Sequence, residues 1–198
     1  RFEDMAAQYE PTLFYVHRPP APLDQFVESL WYWNGPQPAH AKDRLIPTGA
    51  ASLIINLHED EVRNYTGAND DVVERFPGAV LVGAHSRYAV IDTAEQCAVL
   101  GVSFRPGGAW PFFDPAPDEL HNDHAGLRDL WGSAGASLRE RILAAPTPHA
   151  KLHLLAAELL ERSMRPLARR PEIDFALGQL TLRPHSQAIA TLSADVGL

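Results

Sequence analysis

The sequence predicts a mixed α+β chain, in which an antiparallel, barrel-like sheet over about residues 15–104 is followed by a helical region. Three observations predict it. Short segments of strand character follow one another with only brief turns between them, which favours antiparallel pairing because parallel strands need a long crossover. The stretch "LGVSFRPGGAWPFF", residues 100–113, runs from a strand into a glycine corner and on to a helix start, and after Gly108 the chain takes helical character to its end. The second half carries helix punctuation, with Ser137-Leu138-Arg139-Glu140, Thr147-Pro148 and Pro171 each placed to open a helix.

Residues 1–22 end in "HRPPAP", a poor helix or strand former, and read as a surface arm. In "LDQFVESLWYWNG", Asp24 is placed to cap a short helical turn and residues 30–33 to be extended. A clearer strand lies in "RLIPTGAASLIINLHED", with Leu53, Ile55 and Leu57 on one face and Ile54, Asn56 and His58 on the other. Residues 59–78 are polar and read as a long loop or a hairpin. "AVLVGAH", "YAVIDT" and "CAVLGVSF" are the next strands. In the last of them Leu100, Val102 and Phe104 form the core face, opposite Val99, Ser103 and Arg105.

In the helical half, the capping box Ser137-Leu138-Arg139-Glu140 leads a helix whose apolar face holds Leu138, Ile142 and Ala145. Thr147-Pro148 opens a second helix with Leu152, Leu155, Ala156 and Leu159 at helical spacing. Pro171 opens a third, striped by Ile173, Ala176, Leu177 and Leu180; Pro184 closes it and Ser186 caps the last.

A length of 198 residues fits one domain with an appendage or two small domains. No apolar run is long enough to span a bilayer and no leader opens the chain, so the expectation is a cytoplasmic protein without a membrane partner. Cys97 is the single cysteine, which forbids an internal disulfide and, in its apolar setting, reads as a small buried hydrophobe inside a strand. The formal net charge of −8 is the wrong sign for a chain that grips nucleic acid through phosphates by itself.

Several chemistries are weighed and set aside. A phosphate cradle at Gly107-Gly108 lacks the lysine and the spacing of a nucleotide loop, and Pro106 removes a donor, so the pair reads as a turn. His121, Asp123 and His124 lie close together in "HNDHAG", yet a metal centre needs further ligands from elsewhere, and no metal or other cofactor is expected. No serine sits in a nucleophile elbow, and nothing asks for an enzyme. Trp31 and Trp33 alternate on one strand face, either as core or as the wall of a small-molecule pocket.

The end of the chain, "SQAIATLSADVGL", resembles the first helix and turn of the helix-turn-helix in AraC-type transcription regulators, with Ile189, Leu192 and Val196 as its buried stripe and Gly197 at the turn. The blocks "RPPAPLDQFVESLWYWNG", "RLIPTGAASLIINL", "VLVGAHSRY", "LGVSFRPGGAWPFF" and "LRDLWG" look, in that order, like the N-terminal domain found ahead of that DNA-binding domain in one branch of the family. Asp114 departs from it, standing where a small residue is expected. The resemblance implies a cupin-like effector-binding and dimerisation domain, then helices, then paired helix-turn-helix motifs. It divides the chain into an arm (1–14), a β-rich sensing domain (15–132), a helical linker and dimerisation region (133–184) and the first helix of a truncated helix-turn-helix domain (185–198).

The expected function is therefore regulatory: binding an unknown small-molecule effector, forming a homodimer, and controlling DNA binding by a C-terminal part that the chain does not include. The alternatives are a cupin-like small-molecule enzyme and a purely structural dimerisation module. The effector pocket is expected inside the sheet, lined by Trp31, Trp33, Asn56, His58, His85 and Arg105, with Arg105 as anchor for a carboxylate. Dimerisation is expected through Leu152, Leu155 and Leu159, a stripe continued by alanines and flanked by Lys151, Glu158 and Glu161.

Overall fold

A computed structural model describes residues 12–37, 41–66, 69–182 and 189–196. The chain divides into two compact units, Arg1–Pro166 and Leu167–Leu198. The first is α+β, as the sequence predicts. Its strands are β1 (Leu13–His17), β2 (Val27–Asn34), β3 (Lys42–Leu45), β4 (Ser52–Asn56), β5 (Glu61–Thr66), β6 (Val72–Pro77), β7 (Ala79–Val82), β8 (Ala89–Asp92), β9 (Ala98–Phe104) and β10 (His124–Gly126), and its helices are α1 (Leu127–Ala144) and α2 (Pro148–Glu161). Every strand pair is antiparallel. The strands form two sheets, β1-β2-β9-β4-β7-β10 and β3-β8-β5-β6, which do not close into a barrel.

Register builds the core. Across the large sheet Leu30 faces Val102, Val102 faces Leu53, and Leu53 faces Leu81; one step along, Tyr32, Leu100, Ile55 and Ala79 make a second row. Directly opposed residues share a sheet face, so these rows are one continuous apolar surface, and all eight are buried. The helices cover it: α1 packs on β7 and β10, and α2 on β2. His149 and His153 of α2 lie against Tyr15 and His17, the cross-strand partners of Tyr32 and Leu30.

The corner after β9 is a turn. Arg105 N donates to Phe26 O (2.8 Å) and Gly108 N to Arg105 O (2.7 Å). Gly107 takes φ +68°, which favours glycine, and a Cβ on Gly108 would meet Phe26 O at 2.0 Å. Beyond it the expected helix does not form. Pro111, Pro115 and Pro117 interrupt residues 109–123, and Phe112 and Phe113 turn into the core, where Phe113 stacks on Trp131 (4.9 Å).

Other expectations are corrected. The assumed N-terminal arm contains β1, paired along its whole length with β2. The short 3₁₀ turn Leu23–Gln25 is preceded by Pro22, so Asp24 lies inside it and caps nothing. Of the two readings of residues 59–78 the hairpin holds, since β5 and β6 pair antiparallel from Glu61↔Pro77 to Thr66↔Val72. Cys97 ends the 3₁₀ turn Glu95–Cys97, half-buried, ahead of β9. The capping box at Ser137 falls within α1, which begins ten residues earlier than that signal; Ser137 Oγ donates back to Ala134 O. The one break inside α1 is five residues before that signal, at Gly132, with φ 61° and ψ −136°.

The second helix starts as expected: Thr147 Oγ1 accepts from Ala150 N (3.1 Å) and Pro148 occupies the first position. Lys151 Nζ donates to Ile142 O, Leu143 O and Ala145 O, satisfying carbonyls left over at the end of α1. Glu158, 1% exposed, is paired with Arg141 (2.8 Å) and Arg162 (3.0 Å). The second unit holds α3 (Pro171–Leu182) and α4 (Ile189–Val196), in contact with each other. Leu192 is buried, whereas Ile173 and Leu180 of the expected α3 stripe stay partly exposed. Pro184, Ser186 and Gly197 lie outside the described residues. Among the described residues no helix is long and apolar enough to cross a membrane.

Leu152, Leu155 and Leu159 are buried within the chain itself, which removes them as a seam between copies: the α2 face that carries them is the one turned to the core. Replacing Leu155 with Glu puts a carboxylate into a fully buried seat and costs more than about 3 kcal/mol of stability. Urea unfolding followed by circular dichroism measures it; a folded monomer with an unchanged midpoint would return the leucines to an intermolecular seam.

Candidate functional site

The six residues expected to share a pocket are spread over four places. Trp31 and Trp33 lie on the face of β2 opposite the helices. The Trp31 indole lies across Gly101, where a Cβ would meet it at 2.2 Å, and its Nε1 donates to Ser103 Oγ (3.2 Å). Trp33 packs edge-on against Phe14. Asn56 is fully buried and closes the β4–β5 turn: its Nδ2 donates to Glu61 O, and its Oδ1 accepts from His58 N and Glu59 N. His58 is exposed in that turn. Arg105 is exposed at the corner, donating from Nε to Asp24 O (2.9 Å). His85 alone enters a large polar cavity.

That cavity has a volume of about 430 Å³. It is assembled from Asn64 and Tyr65 on β5, the tip of the β5–β6 hairpin with Asp70 and Glu74, the segment His85–Val90, and residues 122–124. Antiparallel pairing of β10 with the end of β7 sets His124 opposite Val82, and Gly83 N bonds Asp123 O while Asn122 N bonds Ala84 O. Asn122 Oδ1 accepts from Ser86 N (2.9 Å). The loop after β7 is thereby held against residues 120–124, and His85 is brought to His124.

The two imidazoles meet at 5.3 Å between ring centres, and Phe76 stacks on His124 at 4.4 Å. Asn64 Nδ2 lies 2.8 Å from His124 Nε2. An amide nitrogen donates, so His124 Nε2 accepts and the ring is neutral with its proton on Nδ1. Burial pushes the His124 pKa down to about 4, with the neighbouring His85 adding to the effect. His85 is lowered as well, first by burial and then by His121 and Arg87. Its Nε2 is buried without a hydrogen-bond partner among the described residues. Two neutral rings therefore back a cavity rimmed by Arg87, Tyr88, Glu74 and Asp123. Such a wall can donate to and accept from a polar small molecule at several points.

A second cluster lies close by. Arg63 on β5 donates to Glu59, Glu61 (2.7 Å) and Asp92 (3.1 Å), and its amide donates to Glu95 Oε1 (2.6 Å). Oxygens of Glu59, Glu61 and Glu95 fall within 4.8 Å of one another, the spacing of a metal-ligand set, but the Arg63 guanidinium already supplies their counter-charge. Glu95 is fully buried, and burial pushes its pKa up to about 7 despite Arg63. Asp92 is held below its ordinary value because Tyr65, the Ala94 amide and Arg63 outweigh its burial.

His124, Asn64, Arg87 and Tyr88 are among the cavity residues that sequence reasoning missed, with Tyr65, Asp70 and Glu74 beside them. The one signal was the histidine pair in "HNDHAG", weighed only for metal binding. Of the other two residues there, His121 is exposed near Ser86 Oγ (3.4 Å) and Asp123 Oδ1 accepts from His124 N.

A family model described as "Domain of unknown function (DUF6597)" matches residues 15–126. The match spans both sheets and stops at the end of β10, so the whole cavity lies inside it. Neither the curated proteins nor the solved structures give a match.

The depressed His124 pKa makes stability depend on pH in a defined sense. The folded state resists the proton that the unfolded chain accepts near pH 6.5. The stability is therefore complete above that pH and is lost between about 6.5 and 4, by on the order of 3 kcal/mol. Glu95 acts in the opposite sense, since its raised pKa stabilises below about 4.5 and is lost as pH rises through about 7. Unfolding free energies of His124→Phe and Glu95→Gln across pH 4–8 separate them by sign: over about pH 4.5–6.5 the first removes a loss of stability on acidification and the second a loss on raising the pH. An acid limb unchanged in His124→Phe would rule out that residue as its source.

Proposed function

Starting from a chain that belongs to the DUF6597 family through residues 15–126, we propose that it is the ligand-sensing and dimerisation region of an AraC-type transcription regulator, controlling DNA binding by a helix-turn-helix domain. On this reading the protein is cytoplasmic, a homodimer and not an enzyme, and its effector is a polar small molecule held in the His85–His124 cavity. The observation that carries the reading is the cavity itself. It is concave, built between two sheets, and backed by a buried imidazole nitrogen without a partner among the described residues. A buried polar atom left unpaired costs free energy that a bound hydrogen-bonding ligand recovers. The sequence blocks that resemble the regulator family, and the separate helical unit Leu167–Leu198 whose α4 carries the helix-turn-helix resemblance, support the same assignment.

Coupling follows from connectivity. His124 lies in β10, and α1 begins at the residue after that strand. A ligand that binds His85 and His124 in one arrangement of the loop and hairpin better than in another shifts the population of that arrangement, and α1 moves with it.

A thermal-shift screen of polar metabolites against the chain tests the assignment. An effector present at about 100 times its dissociation constant adds about 2.7 kcal/mol to the stability. His85→Phe removes the unpaired imidazole nitrogen from the cavity wall, so the shift is lost while the unliganded melt stays cooperative. Compounds that stabilise both proteins equally would place the effector elsewhere and overturn the site.

A further inference from the structure

Arg105 borders a second cavity, apart from the one that holds His85 and His124. It measures about 160 Å³ and lies where the start of β4 and the ends of β7 and β9 meet the corner segment. Leu81, Trp110, Phe113 and Leu120 supply apolar walls, filled in by small residues and prolines. The walls are fixed. Leu81 and Phe113 are buried core, and the Arg165 guanidinium lies 3.6 Å from the centre of the Trp110 ring while its Nη1 donates to Trp110 O and Phe113 O. An apolar cavity of about 150 Å³ takes a benzene ring.

Among the described residues, Arg105 is the one charged side chain on this lining. Its Nε is tied to Asp24 O, and its two Nη groups have no protein partner among the described residues. The stem is thus anchored and part of the planar fork is left over, on a residue that borders an apolar space. A carboxylate matches a guanidinium fork in plane and spacing, and the contact is charge-assisted. An inorganic anion leaves the apolar walls unfilled, and a neutral arene leaves the fork unused.

We infer that this corner cavity binds a small carboxylic acid whose apolar body is about the size of a benzene ring, with Arg105 as its anion anchor. The site is separate from the effector cavity and stands or falls independently of it. Sequence reasoning chose Arg105 as a carboxylate anchor; the structure gives it different walls, Trp110 and Phe113 in place of Trp31 and Trp33.

Benzoate is the probe, with benzyl alcohol (the ring without the charge) and acetate (the charge without the ring) as controls. Each is titrated into the chain and followed by amide and indole NMR shifts. Saturable benzoate binding is expected, with the Trp110 indole among the signals that move most and acetate far weaker. Arg105→Gln weakens benzoate about tenfold or more and leaves benzyl alcohol unchanged. Ala84→Leu fills the space and abolishes both; if that variant does not fold, Ala51→Val takes its place. Equal benzoate affinity in Arg105→Gln, shifts centred on His85 and His124, or the absence of saturable binding would each overturn the site. None of these outcomes touches the regulatory assignment, which is read through His85→Phe.

Discussion

Strand β9 is hydrogen-bonded on both edges, to β2 and to β4, and five of its seven residues are buried. That double enclosure constrains the rest of the first unit. Leu100 and Val102 must meet apolar partners on each side, which fixes the register of both neighbouring strands. On the other face Gly101 has no side chain because the Trp31 indole occupies its place. A strand enclosed in this way has no straight path to solvent. It leaves by turning at once, with Arg105 N bonded to Phe26 O and Gly108 pressed against the same carbonyl. The glycine pair is therefore a consequence of where β9 lies, and the corner cavity is the space left beside that turn.

Enclosure also explains the buried charges. Covering the large sheet needs two helices in close contact, and their meeting ends would leave carbonyls unpaired; Lys151 takes three of them, with its pKa lowered by burial. Glu158 is buried between two arginines, one on α1 and one just beyond α2. Truncating one partner of such a pair is costly because the other charge is left unpaired, so these groups hold α1 and α2 in one arrangement more than they add net stability. The small sheet shows the same logic around Arg63, where four carboxylates surround one guanidinium and Glu95 takes up a proton more readily than an exposed glutamate.

What was legible in the sequence was local. Alternation located β4 and β9, Thr147-Pro148 located α2, and the run of short strands gave antiparallel sheets. Illegible was anything set by long-range register. Both faces of β9 are covered, so choosing between Phe104's face and Arg105's could not place a pocket, and Trp31 and Trp33, which the sequence leaves between core and pocket wall, pack on Gly101 and Phe14. Asn56 was chosen as a polar lining group, but an asparagine at a strand end also closes turns, and here it does. His124 escaped because β10 is three residues long and its partner β7 lies some forty residues earlier, a separation at which spacing carries no information. The leucine stripe of α2 is buried, as its spacing predicts, but within the chain itself. Periodicity shows that a face is buried and says nothing of what buries it.

The two cavities divide along chemical lines that follow from the strands that frame them. The polar one opens where the hairpin β5–β6 and the loop after β7 approach β10, and the side chains there are histidine, asparagine, tyrosine and acids. The apolar one opens where three core strands end, and its walls continue the core. Loop Gly83–His85 runs between them, since Gly83 and Ala84 border the apolar cavity and His85 the polar one. Gly83 allows no slack: a Cβ there would meet Leu120 O at 1.7 Å. On the proposed regulatory reading, a ligand in either cavity presses on the same three residues and on the segment 120–124 bonded to them. That segment leads through β10 directly into α1, whose first turns end at the Gly132 break. Coupling between the sites then needs no long pathway, because both would bias one short, tightly packed element whose displacement α1 is obliged to follow.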